Sequence, residues 1–273
     1  MLTGDHLLTA HAVADQIGLE HEHQYLYTGS MLSVMSEPER KKAYLQGALF
    51  ARVLPEQKYE MIKILQDSGK VVAMTGDGIN DATALKLADI GISMGRGATD
   101  VTRSTAQMIL LENNFSSIVY AVFEGRKIFS NLRRSFSYLI AFHIPVILLA
   151  MLPPFLGWPV LLMPLHIVIL ELLVHPVSAF TFENIESKNL EKNIKNVLLT
   201  RSQVLFAVAR GVFLSLIALV LFQINLSVST DFARSMSFEV ILIGNIFLVL
   251  VEVPLAFNKR VLATILVLMA FAV

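Results

Sequence analysis

Residues 74–95 read MTGDGINDATALKLADIGISMG and set two carboxylates, Asp77 and Asp81, four positions apart behind an apolar run. Across a strand-to-helix turn this spacing lets both converge on one point. Two such carboxylates, with waters and a phosphoryl oxygen, suit the octahedral oxygen shell of Mg²⁺. Gly76 and Gly78 permit close backbone approach to a phosphate, and Asn80 adds an amide for hydrogen bonding. An Asx-type turn that only caps a helix has the same composition, so a bare GDG leaves both readings open. A second constellation lies in LHIVILELLVHPVSAF, residues 165–180, where Glu171 and His175 share a helix face and Pro176 removes a backbone donor. A carboxylate at mid-span depth is costly enough to mark function. With His143, beside Pro145 in AFHIPVILL, these groups and freed carbonyls outline a cation site; a satisfied Glu171–His175 pair is the alternative. Asn245 and Glu252 are further candidate ligands, with Glu252 also reading as an interfacial charge and Arg210 as a snorkelling one. HEH at 21–23 has no third ligand nearby and reads as an exposed polar loop.

The acidic turn needs a sheet to hold it. FARV at 50–53, KVVAMTGDG at 70–78, IGISMG at 90–95 and QMILL at 107–111 alternate with amphipathic stretches, the pattern of buried parallel strands. LPEQKYEMIKILQDSG puts Pro55 in a first helical turn, Tyr59, Ile62 and Leu65 at helical spacing, and Gly69 at the stop. The expectation is a βαβ unit with Thr75–Asp81 at the carboxyl end of a parallel strand, where open α/β sheets keep their sites. MLTGD at residues 1–5 reads as a strand end, so the upstream part of this sheet is expected before Met1.

The 273 residues are 55% hydrophobic and only 16% charged, outside the soluble range, so a membrane component is expected. Twenty-two basic and 22 acidic side chains cancel, and no global field argues for a nucleic-acid partner. Without cysteine there is neither a disulfide framework nor a thiolate metal site; carboxylate, carbonyl, hydroxyl or imidazole must hold any metal. Residues 1–20 contain no apolar core of signal-peptide length. The composition changes near residue 135, which divides the chain into an α/β domain, 1–134, and a helical membrane bundle, 135–273. Spans are expected at about 136–155, 161–182, 204–224 and 236–257, with PPFLGWP as the first turn and 261–273 too short to cross by itself. Lys127, Arg133 and Arg134, then Lys188, Lys192, Lys195 and Arg201, then Lys259 and Arg260 mark alternate connections as cytoplasmic, and the soluble domain with them. There is no internal repeat and no low-complexity tract.

Taken whole, the 74–95 stretch closely resembles the hinge signature of P-type cation-transporting ATPases. MLTGD resembles that family's threonine-bearing phosphorylation motif, ARVLPEQK at 51–58 its lysine motif, and EGRKIFSNLRRSFSYLIAF at 124–142 its join to the fifth membrane helix. The motifs run in the family's order over residues 1 to about 180. The resemblance implies a partial phosphorylation domain of Rossmann-like, haloacid-dehalogenase-type fold, followed by the fifth and later membrane helices of a cell-membrane pump. By it Thr3, within Thr3–Gly4–Asp5, contacts the phosphoryl group, and Asp5 equally reads as an N-cap. Lys58 neutralises the aspartyl phosphate, Asp77 binds Mg²⁺, and Asn80 and Asp81 organise the site, Asp81 counting with Asp77 as a metal carboxylate. Phosphoryl transfer needs mostly positioning and charge compensation, which these groups provide.

The family's phosphorylated DKTGT aspartate does not occur in these residues. The resemblance would put it, together with the ATP-binding domain, upstream, so the chain alone is expected to be inactive. Where calcium-pump-like relatives carry acid and amide ligands, this chain reads His143, Val146, Glu171, Val174 and His175, with one carboxylate. Imidazoles suit a proton-coupled or softer cation path better than calcium. Three readings follow: part of a cation pump, a non-catalytic Mg²⁺-binding membrane protein or pump partner, and a free-standing phosphatase, the last without its nucleophile.

Overall fold

The computed structural model describes residues 1–19, 25–183, 185, 197–253, 263 and 266. HEH at 21–23, Lys188, Lys192, Lys195, Lys259, Arg260 and all of 261–273 except positions 263 and 266 lie outside them. The chain forms two compact units, Met1–Val119 and Tyr120–Val273.

The first unit is α/β. Its strands are β1 (Leu2–Thr3), β2 (Leu26–Thr28), β3 (Leu49–Ala51), β4 (Ala73–Gly76), β5 (Ile90–Met94) and β6 (Met108–Leu110), interleaved with helices α1 (Leu7–Gln16), α2 (Gly29–Val34), α3 (Glu37–Gln46), α4 (Pro55–Asp67), α5 (Ala82–Leu87) and α6 (Asp100–Thr105). All pairings are parallel, in two three-stranded sheets ordered β1-β3-β2 and β4-β5-β6. The strands expected around 50–53, 70–78, 90–95 and 107–111 are therefore present. The pair β3–α4–β4, however, does not close one ladder as a βαβ unit would. Strand β3 is central, with β1 on one side and β2 on the other, so β4 has no edge of β3 to join.

Helix α4 starts with Pro55 at its first turn, where the missing N–H is no loss, and Gln57 caps it by accepting from the Leu54 N–H at 3.0 Å. It stops before Gly69, whose φ of +79° favours glycine. Met61 and Ile62 are its buried apolar residues while Tyr59 is 43% exposed, so the inward face is rotated away from Tyr59. The core is split into small clusters, and Leu2 packs against two of them.

The second unit is helical. Helix α7 (Ser116–Phe155) is 40 residues long and contains Pro145, Pro153 and Pro154. Then come α8 (Pro164–Ile169), a π-helical turn over Leu170–Val174, α9 (His175–Phe180), α10 (Arg201–Asn225) and α11 (Thr230–Glu252). Among the described residues, α7, α10 and α11 are long and apolar enough to cross a membrane; Pro164–Phe180, where a full span was expected over 161–182, is a shorter apolar helix. Large apolar side chains point outward, Phe213 and Phe247 being 67% and 64% exposed, as lipid-facing surfaces require. A Cβ on Gly244 would come within 2.2 Å of Leu214, so this glycine lets α10 and α11 pack closely.

The units divide at 119/120, ahead of the composition change near 135. Residues 120–134 of α7 pack within the second unit although they are polar: Asn131 donates to the Glu183 carbonyl at 3.3 Å and Arg133 to the Leu198 carbonyl at 3.0 Å. Pro176 does not unwind its helix. Having no N–H, and a ring that crowds the carbonyl four residues back, it is accommodated by the wide turn ahead of it, in which the His175 N–H reaches Leu170 O.

Candidate functional site

Strand β4 delivers the acidic turn at its carboxyl end. Thr3, Gly4, Lys58, Thr75, Gly76, Asp77 and Asp81 line one cavity of about 470 Å³, floored by Leu2, Met61, Ile62, Leu65 and Met74. Lys58 Nζ lies 2.6 Å from Asp81 Oδ1, and each side chain is 13% exposed. Little solvent screens this ion pair, which positions Lys58 over the cavity. Gly76 makes the pairing sterically possible, because a Cβ there would stand 2.6 Å from the Cβ of Asp81. Asp77 is exposed, and its backbone carbonyl accepts from the Thr99 N–H at 3.1 Å and the Thr102 hydroxyl at 3.3 Å. Those two threonines were not singled out in the sequence; the signal was the cap of α6, where Thr99 accepts from the Thr102 N–H.

Asp5 lies beside Thr3, its N–H donating to Thr3 Oγ1 at 3.1 Å, but the N-cap of α1 is His6. Asn80 sits exposed in the 3₁₀ turn Ile79–Asp81 and does not line the cavity. The oxygens of Asp77, Asp81 and Thr3 are hard donors and fit Mg²⁺ chemically, with one oxygen of Asp81 already engaged by Lys58. At the far end of α5, Asp89 accepts from the Val72 N–H at 2.8 Å and from Gln66 at 3.2 Å, and these bonds hold its carboxyl below the usual carboxylate range.

In the second unit Glu171 stands between two imidazoles. Its Oε1 is 3.5 Å from His143 Nε2 and its Oε2 is 3.6 Å from His175 Nδ1. The sequence expectation that α7 brings His143 to face Glu171 and His175 holds. Asn245 is 1% exposed, accepts from the Tyr138 hydroxyl at 2.7 Å and donates to Ser178 Oγ at 3.0 Å, bolting α7, α9 and α11 together. Glu252, the last residue of α11, binds Arg210 Nη2 at 2.7 Å and accepts from Ser137 Oγ at 2.7 Å, so its carboxylate is already engaged by protein partners. Arg210 is thus an ion-pair partner of Glu252.

A model of the haloacid dehalogenase-like hydrolases matches residues 1–89. A calcium-transporting ATPase of Listeria monocytogenes is 35% identical over 249 residues, 89% of this chain and 28% of the relative. A calcium-transporting ATPase of Bacillus cereus is 36% identical over 81% of the chain and 26% of its own length. A cation-transporting ATPase of Synechocystis is 46% identical over 51% of the chain and 16% of its own. The chain therefore spans under a third of the length of these relatives.

Proposed function

This chain belongs, over the stretch it covers, to the P-type cation-transporting ATPases, and from that premise we propose that it supplies part of the phosphorylation site and part of the cation path of an ATP-driven pump. The chain is an integral membrane protein with a haloacid dehalogenase-like soluble domain. In the proposal that domain is cytoplasmic, on the side of the basic connections. The observation that carries the reading is the meeting of Lys58, Asp81, Thr3 and Asp77 at one cavity, with Lys58 held 2.6 Å from Asp81.

In this mechanism Lys58 neutralises charge on a phosphoryl group attached to an aspartate, and Thr3, within Thr3–Gly4–Asp5, hydrogen-bonds one of its oxygens. Asp77 and Asp81 would hold Mg²⁺, which when bound would offset negative charge on the phosphoryl oxygens. Thr99 and Thr102 fix the Asp77 backbone, and Asn80 with Asp81 organises the site. In the membrane unit Glu171, with His143 and His175, lines the cation path. ATP acts through sequence other than these residues.

The test is a chimaera in which residues 1–253 replace the matching stretch of the Listeria relative. Cation-dependent, acid-stable labelling from ATP is expected, and Asp77→Asn should abolish it; labelling indifferent to Asp77→Asn would refute the assignment. Glu171→Gln should abolish cation-stimulated turnover while the helical content is kept. A second reading, a non-catalytic Mg²⁺-binding membrane protein or pump partner, draws on the absence of DKTGT among the 273 residues. It is favoured if a well-folded chimaera takes up no label.

A further inference from the structure

We propose that His143, Glu171 and His175 coordinate a first-row divalent transition ion of the Zn²⁺ class. Its role as the transported cation rests on the pump reading above, and its coordination rests on geometry alone. Each residue offers one ligand atom, and the three atoms lie within 4.8 Å of one another. The two separations that involve Glu171 are 3.5 and 3.6 Å. With bonds of about 2.0–2.1 Å, tetrahedral donor atoms around zinc stand roughly 3.4 Å apart, so each imidazole nitrogen is near ligand spacing from one carboxylate oxygen, His143 from Oε1 and His175 from Oε2.

The orientation of the imidazoles supports this more strongly than distance. His143 Nδ1 is 2.8 Å from the carbonyl of Leu139, a contact that makes Nδ1 the protonated nitrogen. In the neutral form of the ring Nε2 then carries the lone pair, 3.5 Å from a carboxylate oxygen. In that form a metal cation bound by both atoms takes the place that a proton on Nε2 would otherwise fill. The backbone carbonyl behind His143 is also the usual outer partner of a metal-bound histidine. Phe142 stacks on the His175 ring with centroids 5.3 Å apart and planes at 22°, which fixes the direction of that ligand too. Glu171 lies within the π-helical turn and His175 directly follows it, a local irregularity often found at functional sites.

The donor set also selects the ion. Calcium takes six to eight oxygens, whereas this cluster presents two imidazole nitrogens and one carboxylate. Imidazole-rich sites suit zinc, cobalt, nickel and copper, and three protein ligands leave a fourth position for water or exchange.

The full 273-residue chain in detergent would be titrated with Co²⁺ alone. Intense visible ligand-field bands are expected, displaced by equimolar Zn²⁺ and untouched by a hundredfold excess of Ca²⁺. His143→Gln and His175→Gln should each weaken Co²⁺ binding at least tenfold, and His21→Ala with His23→Ala should leave it unchanged. Circular dichroism confirms that each variant keeps its helices, and Glu171→Gln gives a near-isosteric third measure. Bands that persist in Glu171→Gln and both histidine variants, or that vanish in the 21/23 variant, overturn the proposal, as does displacement by Ca²⁺. In the chimaera, turnover driven by Ca²⁺ and insensitive to His143→Gln would overturn this assignment and leave the pump reading standing. Absent labelling with intact Co²⁺ bands would sink the pump reading alone.

Discussion

In the soluble unit Asp81 sits 2.6 Å from the ammonium of Lys58, whereas in the membrane unit Glu171 stands 3.5 and 3.6 Å from two imidazoles. The first carboxylate is closed by a permanent cation in direct contact. The second faces two imidazoles, one at each carboxylate oxygen, at longer separations. A third carboxylate, Glu252, shows that this is a matter of partner and not of environment, since in the same membrane unit Arg210 closes it at 2.7 Å. A closed pair fixes geometry, and an open one awaits a ligand. Aspartate or glutamate alone does not tell the two apart; the identity and reach of the basic neighbour does.

The contrast breaks first at Glu252. Glu252→Ala strands Arg210 among apolar helices and should lower unfolding stability in detergent by about 3 kcal/mol, while Glu171→Gln should change it by less than about 1 kcal/mol. Equal losses would mean that both carboxylates are structural. Next, Gly76→Ala pushes a methyl into Asp81 and should cost about 2 kcal/mol in thermal unfolding, with a fall of roughly a hundredfold in labelling of the chimaera as Lys58 loses its anchor. Thr102→Val removes one hydrogen bond to the Asp77 carbonyl and should cost about 1 kcal/mol, read in the same melts.

The smallest effect is at Asp89, an exposed closed carboxylate whose partners are an amide N–H and a glutamine. Its lowered folded-state pKa means that its stabilisation is present above the unfolded-state value of about 3.9 and is lost as pH falls through the folded value. The stability gap between the parent chain and Asp89→Asn at pH 7 should therefore close in acid; a gap independent of pH would show that the charge contributes nothing.

Local chemistry was legible in the sequence wherever it was carried by nearby residues. Pro55 and Gly69 bounded α4, and the acidic turn followed an apolar strand, because caps and turn residues act within a few positions. The meeting of His143 with Glu171 was legible through helical spacing and the facing prolines. Long-range pairings were not. Nothing local in Arg210 or Glu252 tells that they meet, and a lone charge in an apolar run reads equally as snorkelling. Strand β2 escaped because its three residues, Leu26–Thr28, are too few to set an alternation, and the separation of β3 from β4 depends on which strands take the edges of β3. Thr99 and Thr102 were hidden for another reason: a cap is visible in sequence, but a carbonyl 25 residues earlier that the same hydroxyl also serves is not.

Strands β1 and β4 each end their sheet, and both border the same cavity. On that side each presents backbone donors and acceptors that no described strand uses, and an unprotected edge is a template for any extended peptide. The soluble unit expressed by itself at high concentration is therefore expected to associate edge to edge into β-rich oligomers, and its solubility in the cell becomes a question of what fills one slot between two short strands.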